Sequence, residues 1–302
     1  MRIAVTGRNG QLARSLLERA TAHGVEVVLF GRPEVELTDP AQLGAALTAI
    51  DASAVINAAA YTQVDRAEDE RELARQINAE MAELVARAAA NRGLPALQIS
   101  TDYVFDGEAD RPYREDATPH PVSVYGLTKL EGERAVAMAN PDHAIIRTSW
   151  VYSPFGKNFV RTMLTLAQSR DEVAVVSDQH GAPTHALDLA DGLIQMAQAL
   201  VARPDAAELR GIFHMTGGGE TNWAEFAQHI FAASAAVGGP AARVRAIPSS
   251  DFPTPARRPA NSRLDNAKLS RLYAISLPDW RTSLPACVAR LVTEQFKGDR
   301  LS

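Results

Sequence analysis

The chain opens on a short apolar run, Ile3 to Thr6, that breaks at Gly7 into the turn Gly7-Arg8-Asn9-Gly10-Gln11-Leu12-Ala13 and passes straight into a helical pattern. An apolar run of that length ending in glycine reads as a buried strand. Gly7 and Gly10 let the backbone turn sharply and, lacking a Cβ, let an anion approach it closely. The helix behind them aims free N–H groups and the positive end of its dipole at the same point. Ala13 is small enough for that helix to pack on the strand. A G-x-x-G turn alone is a common tight turn; between a strand and a helix at the head of an alternating chain, it reads as a pyrophosphate loop.

The alternation continues. A helix is expected from about Gln11 to Ala22, with Leu12, Leu16 and Leu17 on one face, then strands over Val25–Phe30 and Ala54–Ala58. Between those strands Pro40–Ile50 has helical spacing, with Asp39 as N-cap and proline at the first helical position. A long helix over about Glu70–Arg92 stops at Gly93, and Ala96–Ser100 is the fourth strand. Residues 106–121, with Pro112, Pro119 and Pro121, read as a surface loop. The next helix carries Tyr125 and Lys129 and ends near Asn140-Pro141; Ala144–Thr148 and Val173–Val176 are the fifth and sixth strands. Strands alternating with helices predict an α/β fold, a doubly wound parallel sheet of Rossmann type. After about residue 150 the beat loosens, and the prolines at 248, 253, 255 and 259 make that segment a shaped loop. The expected division is a dinucleotide-binding domain over residues 1–150 and a smaller substrate lobe over 151–302, some of whose segments return to the sheet.

Charge and cysteine content exclude several classes. The 302 residues carry 31 basic and 36 acidic side chains, a net charge of −5, which argues against a nucleic-acid partner. The single cysteine, Cys287, rules out an intramolecular disulfide framework and reads as a buried thiol. Met1 runs directly into a core strand with no charged-then-apolar leader. No apolar run approaches the ~20 residues of a membrane span. The expected location is the cytoplasm, with no membrane partner.

The chemistry-bearing pattern is Tyr125-Gly126-Leu127-Thr128-Lys129, which sets a phenol and an ammonium four residues apart on one helix face. An unperturbed tyrosine, with a pKa of about 10, is a poor acid–base catalyst at neutral pH, and a nearby cation lowers that value. Such a tyrosine can give a proton to a carbonyl oxygen as hydride reaches the carbon. Y-x-x-x-K recurs by chance in many helices, but two features support it here. Thr101 ends the fourth strand, where open α/β sheets bind ligands, and can turn its hydroxyl into the same crevice. Asn57-Ala58-Ala59-Ala60 ends the third strand, and its small side chains leave room for a flat cofactor. At the end of the second strand Phe30-Gly31-Arg32 lacks the carboxylate that binds an NAD ribose. Arg8 and Arg32 either pair with a 2′-phosphate, favouring NADPH while leaving NADH possible, or are solvated surface charges.

In this order these elements resemble the extended short-chain dehydrogenase/reductase family. Within it, the stretches TGRNGQLA, VINAAAYTQVDRAE, ISTDYVFDG, VYGLTKLEGE, RTSWVY, DQHGAPT and RPANSRL, spread over residues 6–264, resemble the branch that forms dTDP-L-rhamnose. The resemblance implies hydride transfer from NAD(P)H to the 4-keto carbon of a dTDP-linked 6-deoxyhexulose. It makes Tyr125 the proton donor, Lys129 its electrostatic support and ribose ligand, and Thr101 the carbonyl anchor. It implies cofactor contacts from Gly10, Gln11, Leu12, Ala60, Tyr61 and Thr62, and sugar-nucleotide contacts from Asp102 and Trp150. Arg258 and Asn261, in RP-x-NS, bind the diphosphate or shape its pocket, since an arginine fork suits phosphate oxygens. Core packing is the other reading of Trp150, and a loop-ordering salt bridge that of Arg258.

The chain departs from the family pattern where some members carry an acidic residue for a metal-bridged dimer. Here Arg14-Ser15 follows the glycine turn, and His185-Ala186-Leu187-Asp188 shifts the acidic position after DQHGAPT. No metal site is assigned, His180, His185 and His214 being too scattered for zinc; the chain is expected as a monomer or homodimer without a metal bridge. A sister reading is a sugar-nucleotide epimerase or dehydratase with the same Tyr/Lys pair, which recycles one tightly held NAD. A reading from another class is a non-catalytic NADP-binding subunit resembling the regulatory subunit of methionine adenosyltransferase.

Overall fold

Alternate residues of the opening strand face opposite ways, and both sets are apolar. In β1 (Arg2–Thr6), Ile3 and Val5 enter one core cluster and Ala4 another. In β3 (Ala54–Asn57), Ala54 and Ile56 join the first cluster and Val55 the second. Strands buried on both faces need a layer on each side. The computed structural model, which describes residues 1–296, supplies both. One layer holds α1 (Gln11–Arg19) packed on the later helix Ala186–Ala202. The other holds α2 (Pro40–Ile50), capped by the Asp39 carboxylate, and the helix Met81–Ala90.

The sheet has six strands, all paired in parallel, in the order Gly211–His214, β5 (His143–Thr148), β4 (Ala96–Thr101), β3, β1, β2 (Glu26–Phe30). The chain leaves β1 for β2 on one side and returns across it to β3 on the other. The strand order therefore reverses between β1 and β3, and a crevice opens outside their carboxyl ends.

Three expectations change. Val173–Val176 does lie within a strand, Glu172–Val176, but this pairs with Arg243–Ile247, away from the central sheet. The sixth place is taken by Gly211–His214, a four-residue strand too short to stand out in the sequence. Leu17 is 50% exposed, because the buried face of α1 is formed by Leu12, Ala13, Ser15 and Leu16 and leaves Leu17 outside it. The long helix holds a π-turn, Gln76–Glu80, between Arg71–Arg75 and Met81–Ala90. That turn carries Asn78 against the helix Val124–Ala139, where a Cβ on Gly132 would lie 2.1 Å from the Asn78 carbonyl oxygen.

The second half builds its own core. Tyr152, Val160, Leu164, Val173, Phe226, Trp280, Leu284 and Val288 form a separate buried cluster, with Cys287 among them. Burial pushes that thiol up to about 12, so it is an inert packing group. Among the described residues, no helix is long and apolar enough to cross a membrane.

Candidate active site

The crevice between the ends of β1 and β3 is a cleft of about 650 Å³, and both ends of it are made by strand termini. At one end, Gly7 adopts φ +86° and Gly31 abuts it, so the turn is closed by local sterics. Gly10 differs: its φ is −69°, and a Cβ there would meet no protein atom within 4 Å. Its missing side chain leaves space on the cleft side. Behind it α1 starts with no side-chain cap and no acidic residue in its first turn. Uncapped N–H groups, a positive dipole end and an open backbone suit a pyrophosphate, so these residues fit a dinucleotide.

The floor is fixed by a chain of buried amides. Thr6 Oγ1 donates to Asn57 Oδ1 at 2.5 Å, Asn57 Nδ2 donates to Gln98 Oε1 at 2.7 Å, and the Ala59 amide donates to Thr6 Oγ1 at 3.1 Å. These bonds lock the ends of β1, β3 and β4 in register. The small residues Ala58 and Ala60, with Thr62, then line the cleft beside Gly7, Gly10, Gln11 and Leu12.

Thr101, Tyr125 and Lys129 meet at the other end. Ser123 Oγ accepts from the Gly126 amide at 3.2 Å and starts the helix Val124–Ala139, which places Tyr125 in its first turn. Lys129 is only 3% exposed and its Nζ donates to the Ile99 carbonyl at 2.6 Å. Burial pushes this ammonium down to about 8, opposed by the Glu133 carboxylate one turn on. The Tyr125 phenol is held above its usual value by burial; Thr101 pulls the other way, and the Asp102 charge adds to the rise. The sequence suggests a phenol acidified by its lysine. Desolvation instead dominates both groups, Lys129 being buried and Tyr125 half-buried against Tyr103 at the cleft wall. Asp102, 3% exposed, accepts from Thr101 Oγ1 at 3.0 Å, leaves Oδ2 without a partner, and is pushed up to about 6 by burial.

Trp150 also lines the cleft, at φ +49°, a backbone state that costs a bulky residue about 1–3 kcal/mol. Its ring stacks on Trp223 with centroids 3.6 Å apart, and a Cβ on Gly181 would come within 2.5 Å of the indole. The glycine of DQHGAPT is thus the bed on which Trp150 lies, and packing and cleft-lining coincide in one residue.

Five of the sequence candidates lie off the cleft. Tyr61 is buried, with its phenol on Glu70 at 2.5 Å and its backbone bracketed by the Asn78 amide. Arg32 is largely exposed and pairs with Glu36 at 3.2 Å; Arg8 likewise pairs with Glu34. Arg258 donates to Asp65 Oδ2 at 2.7 Å, the loop-ordering bridge that was the alternative to phosphate binding. Asn261 donates to the carbonyls of Ala109 and Arg111 at 2.8 and 2.9 Å and accepts from Arg263, so its amide is committed to the 106–121 loop. The RP-x-NS segment braces that loop against His180 through paired backbone bonds at Ala260 and Ser262.

One group escaped the sequence reading. Glu133 and Arg147, both under 4% exposed, form a buried pair at 2.6–2.9 Å, and Ser100 Oγ donates to the same carboxylate at 2.5 Å. Glu133 stands one turn beyond Lys129, a spacing that was available as a signal. Among the described residues, no three His, Cys, Asp or Glu side chains gather as a metal set.

Comparison with known proteins agrees with this geometry. A family model described as RmlD substrate binding domain matches residues 1–293. A curated relative from Sinorhizobium fredii named dTDP-4-dehydrorhamnose reductase is 45% identical over 97% of this chain and 99% of its own length. The crystal structure of dTDP-4-dehydrorhamnose reductase from Bacillus anthracis in complex with NADP superposes with a TM-score of 0.86 at 34% identity, covering 95% of this chain and 98% of that one. UDP-glucose 4-epimerase from Thermus thermophilus, 19% identical with a TM-score of 0.76 over 97% of this chain and all of its own, shares the fold alone. The chain therefore belongs to the RmlD substrate binding domain family, within the extended short-chain dehydrogenases/reductases.

Proposed function

We propose that this protein reduces the 4-keto group of dTDP-4-dehydro-L-rhamnose to give dTDP-L-rhamnose, with NADPH as the preferred hydride donor and NADH as a possible one. The observation that carries the reading is one cleft joining an uncapped phosphate turn to Thr101, Tyr125 and Lys129. When bound, the reduced nicotinamide supplies the hydride. Tyr125, kept protonated by its raised pKa, gives its proton to the carbonyl oxygen, so hydride and proton together make the alcohol. Thr101 orients that oxygen from the end of β4. Lys129, fixed on Ile99, presents its charge and hydrogens to the nicotinamide ribose.

Gly7, Gly10, Gln11, Leu12, Ala58, Ala60 and Thr62 form the cofactor half of the cleft, and Asp102 and Trp150 the sugar side. Tyr61 supports the cofactor half from behind, and Arg258 and Asn261 shape the sugar-nucleotide end by holding loops. Arg8 and Arg32 favour NADPH because their exposed glutamate pairs are worth only about 0–1 kcal/mol, so a 2′-phosphate can exchange for the carboxylates. Residues 1–150, joined by the returning Ala186–Ala202 and Gly211–His214, are the nucleotide half, and the remainder is the sugar-nucleotide half. We place the reaction in the cytoplasm. The epimerase reading rests on fold alone.

The test mixes protein and NADPH with enzymatically generated dTDP-4-keto-6-deoxyglucose and its 3,5-epimerase, following cofactor absorbance. Oxidation is expected, and Tyr125→Phe is expected to lower it by at least about 100-fold, as for other general acids. No oxidation with NADPH or NADH overturns the reading.

A further inference from the structure

Within the cleft, positive charge is scarce. Among the described residues that line it, the cations are Lys129 and Lys157 and the one acid is Asp102. Lys129 is buried at the catalytic end and bound to Ile99. Arg8 and Arg32 stand outside the lining, each beside a glutamate. A dinucleotide pyrophosphate brings two negative charges to the α1 end, where the other lining residues, Asn9 and Gln11 among them, carry no charge.

Lys157 sits at that end. It follows Gly156, at φ +61°, where a Cβ would come 3.4 Å from the Gln11 side chain, the first residue of α1. The same Gln11 amide is tied to the lysine's loop: Ser153 Oγ donates to Gln11 Oε1 at 2.8 Å. Asn158 closes the loop from within, its Nδ2 donating to the Ser153 and Phe155 carbonyls at 2.8 and 3.2 Å while its Oδ1 caps the next helix. Phe155 anchors it from beneath, buried, with the Arg14 and Arg290 guanidiniums 4.2 and 4.9 Å from its ring centre. Arg14 belongs to α1 itself. Loop and phosphate turn are therefore joined, and the exposed Lys157 lines the same cleft as the phosphate turn.

We propose that Lys157 is a cofactor-affinity residue, a cation that compensates the pyrophosphate of the bound dinucleotide beside the α1 N-terminus. This deepens the reductase reading and rests on it. Because the lysine is exposed, its contribution is modest and screened by salt, which suits an enzyme that must release oxidised cofactor at every turnover.

Binding of NADPH to the full-length protein, without sugar nucleotide, is measured by fluorescence titration at several salt concentrations. Lys157→Ala is expected to raise Kd about two- to fivefold at low salt, Lys157→Glu more, and Lys157→Arg less than twofold, since an exposed charge contact is worth up to about 1 kcal/mol. The difference between parent and Lys157→Ala should shrink as salt rises. An unchanged Kd in Lys157→Ala, or a loss confined to the KM for the sugar nucleotide, overturns the proposal. Failure of the parent protein to bind NADPH overturns the reductase reading instead, so the two failures are distinguishable.

Discussion

At the scale of single residues, the site is governed by desolvation. Lys129 and Tyr125 are both held in their neutral forms more strongly than in water, and the consequences differ in sign. A phenol with a raised pKa stays protonated through the neutral range, which is the form a proton donor needs. An ammonium lowered to about 8 is charged below that pH and neutral above it. The cation at the ribose end is therefore lost on the alkaline side. The pH profile of kcat/KM, taken from about pH 6 to 10, is expected to fall through an apparent pKa near 8; a profile level to pH 10 would contradict this assignment. Lys129→Arg, whose guanidinium keeps its charge above pH 12, should remove the alkaline fall from whatever activity remains.

At the scale of elements, three pieces meet at one buried carboxylate. Glu133 on the helix Val124–Ala139 accepts from Ser100 at the end of β4 and from Arg147 in β5. The strand that delivers Thr101 and the helix that delivers Tyr125 and Lys129 are thus joined one turn behind the chemistry. Replacing Glu133 by Gln leaves the Arg147 guanidinium buried without its counter-charge. Such losses cost about 3–5 kcal/mol, so Glu133→Gln should lower the denaturant midpoint well below the parent's. A midpoint within error of the parent's would show that the pair is not what holds these elements together.

This scale also separates what the sequence reveals from what it hides. The phosphate turn, Thr101 at its strand end and the Tyr125–Lys129 spacing are legible because each depends on neighbours within a few residues. The same holds for β1 to β5, whose apolar runs are bounded by turn residues. Contacts across the fold are not legible that way. The Glu133–Arg147 pair spans two elements, and the commitment of Asn261 to Ala109 and Arg111 joins segments some 150 residues apart. A buried Tyr61 and an outward Leu17 likewise follow from tertiary packing, which no local period encodes. The motif DQHGAPT was recognisable as a pattern, but the need for Gly181 became physical only with the Trp150 ring lying on it.

At the scale of the whole molecule, the sheet ends on a short strand whose outward groups are occupied. Lys268 donates to the Ile212 carbonyl at 2.6 Å, and the His214 amide donates to Glu115 at 3.1 Å. Charged side chains on an exposed edge block its pairing with another chain. The double substitution Glu115→Ala with Lys268→Ala uncovers both groups. It is expected to raise the apparent mass in light scattering at a protein concentration where the parent's is constant; an unchanged mass would show the edge to be protected by other means.

The same whole-molecule view gives the proposed reaction its direction, with the phosphates expected at the α1 end of the cleft and proton transfer at the β4 end. In the proposed reaction, hydride passes from the cofactor to the sugar's C4 while Tyr125 supplies the proton. The most direct measurement is turnover of NADPH deuterated at the nicotinamide C4, in separate samples for its two faces, followed by NMR of the product. One deuterium per product molecule is expected, at C4 of the dTDP-L-rhamnose sugar and from one face only, with labelled product forming at least about 100-fold more slowly in Tyr125→Phe. Product without deuterium at C4, or with the label at C3 or C5, would contradict it.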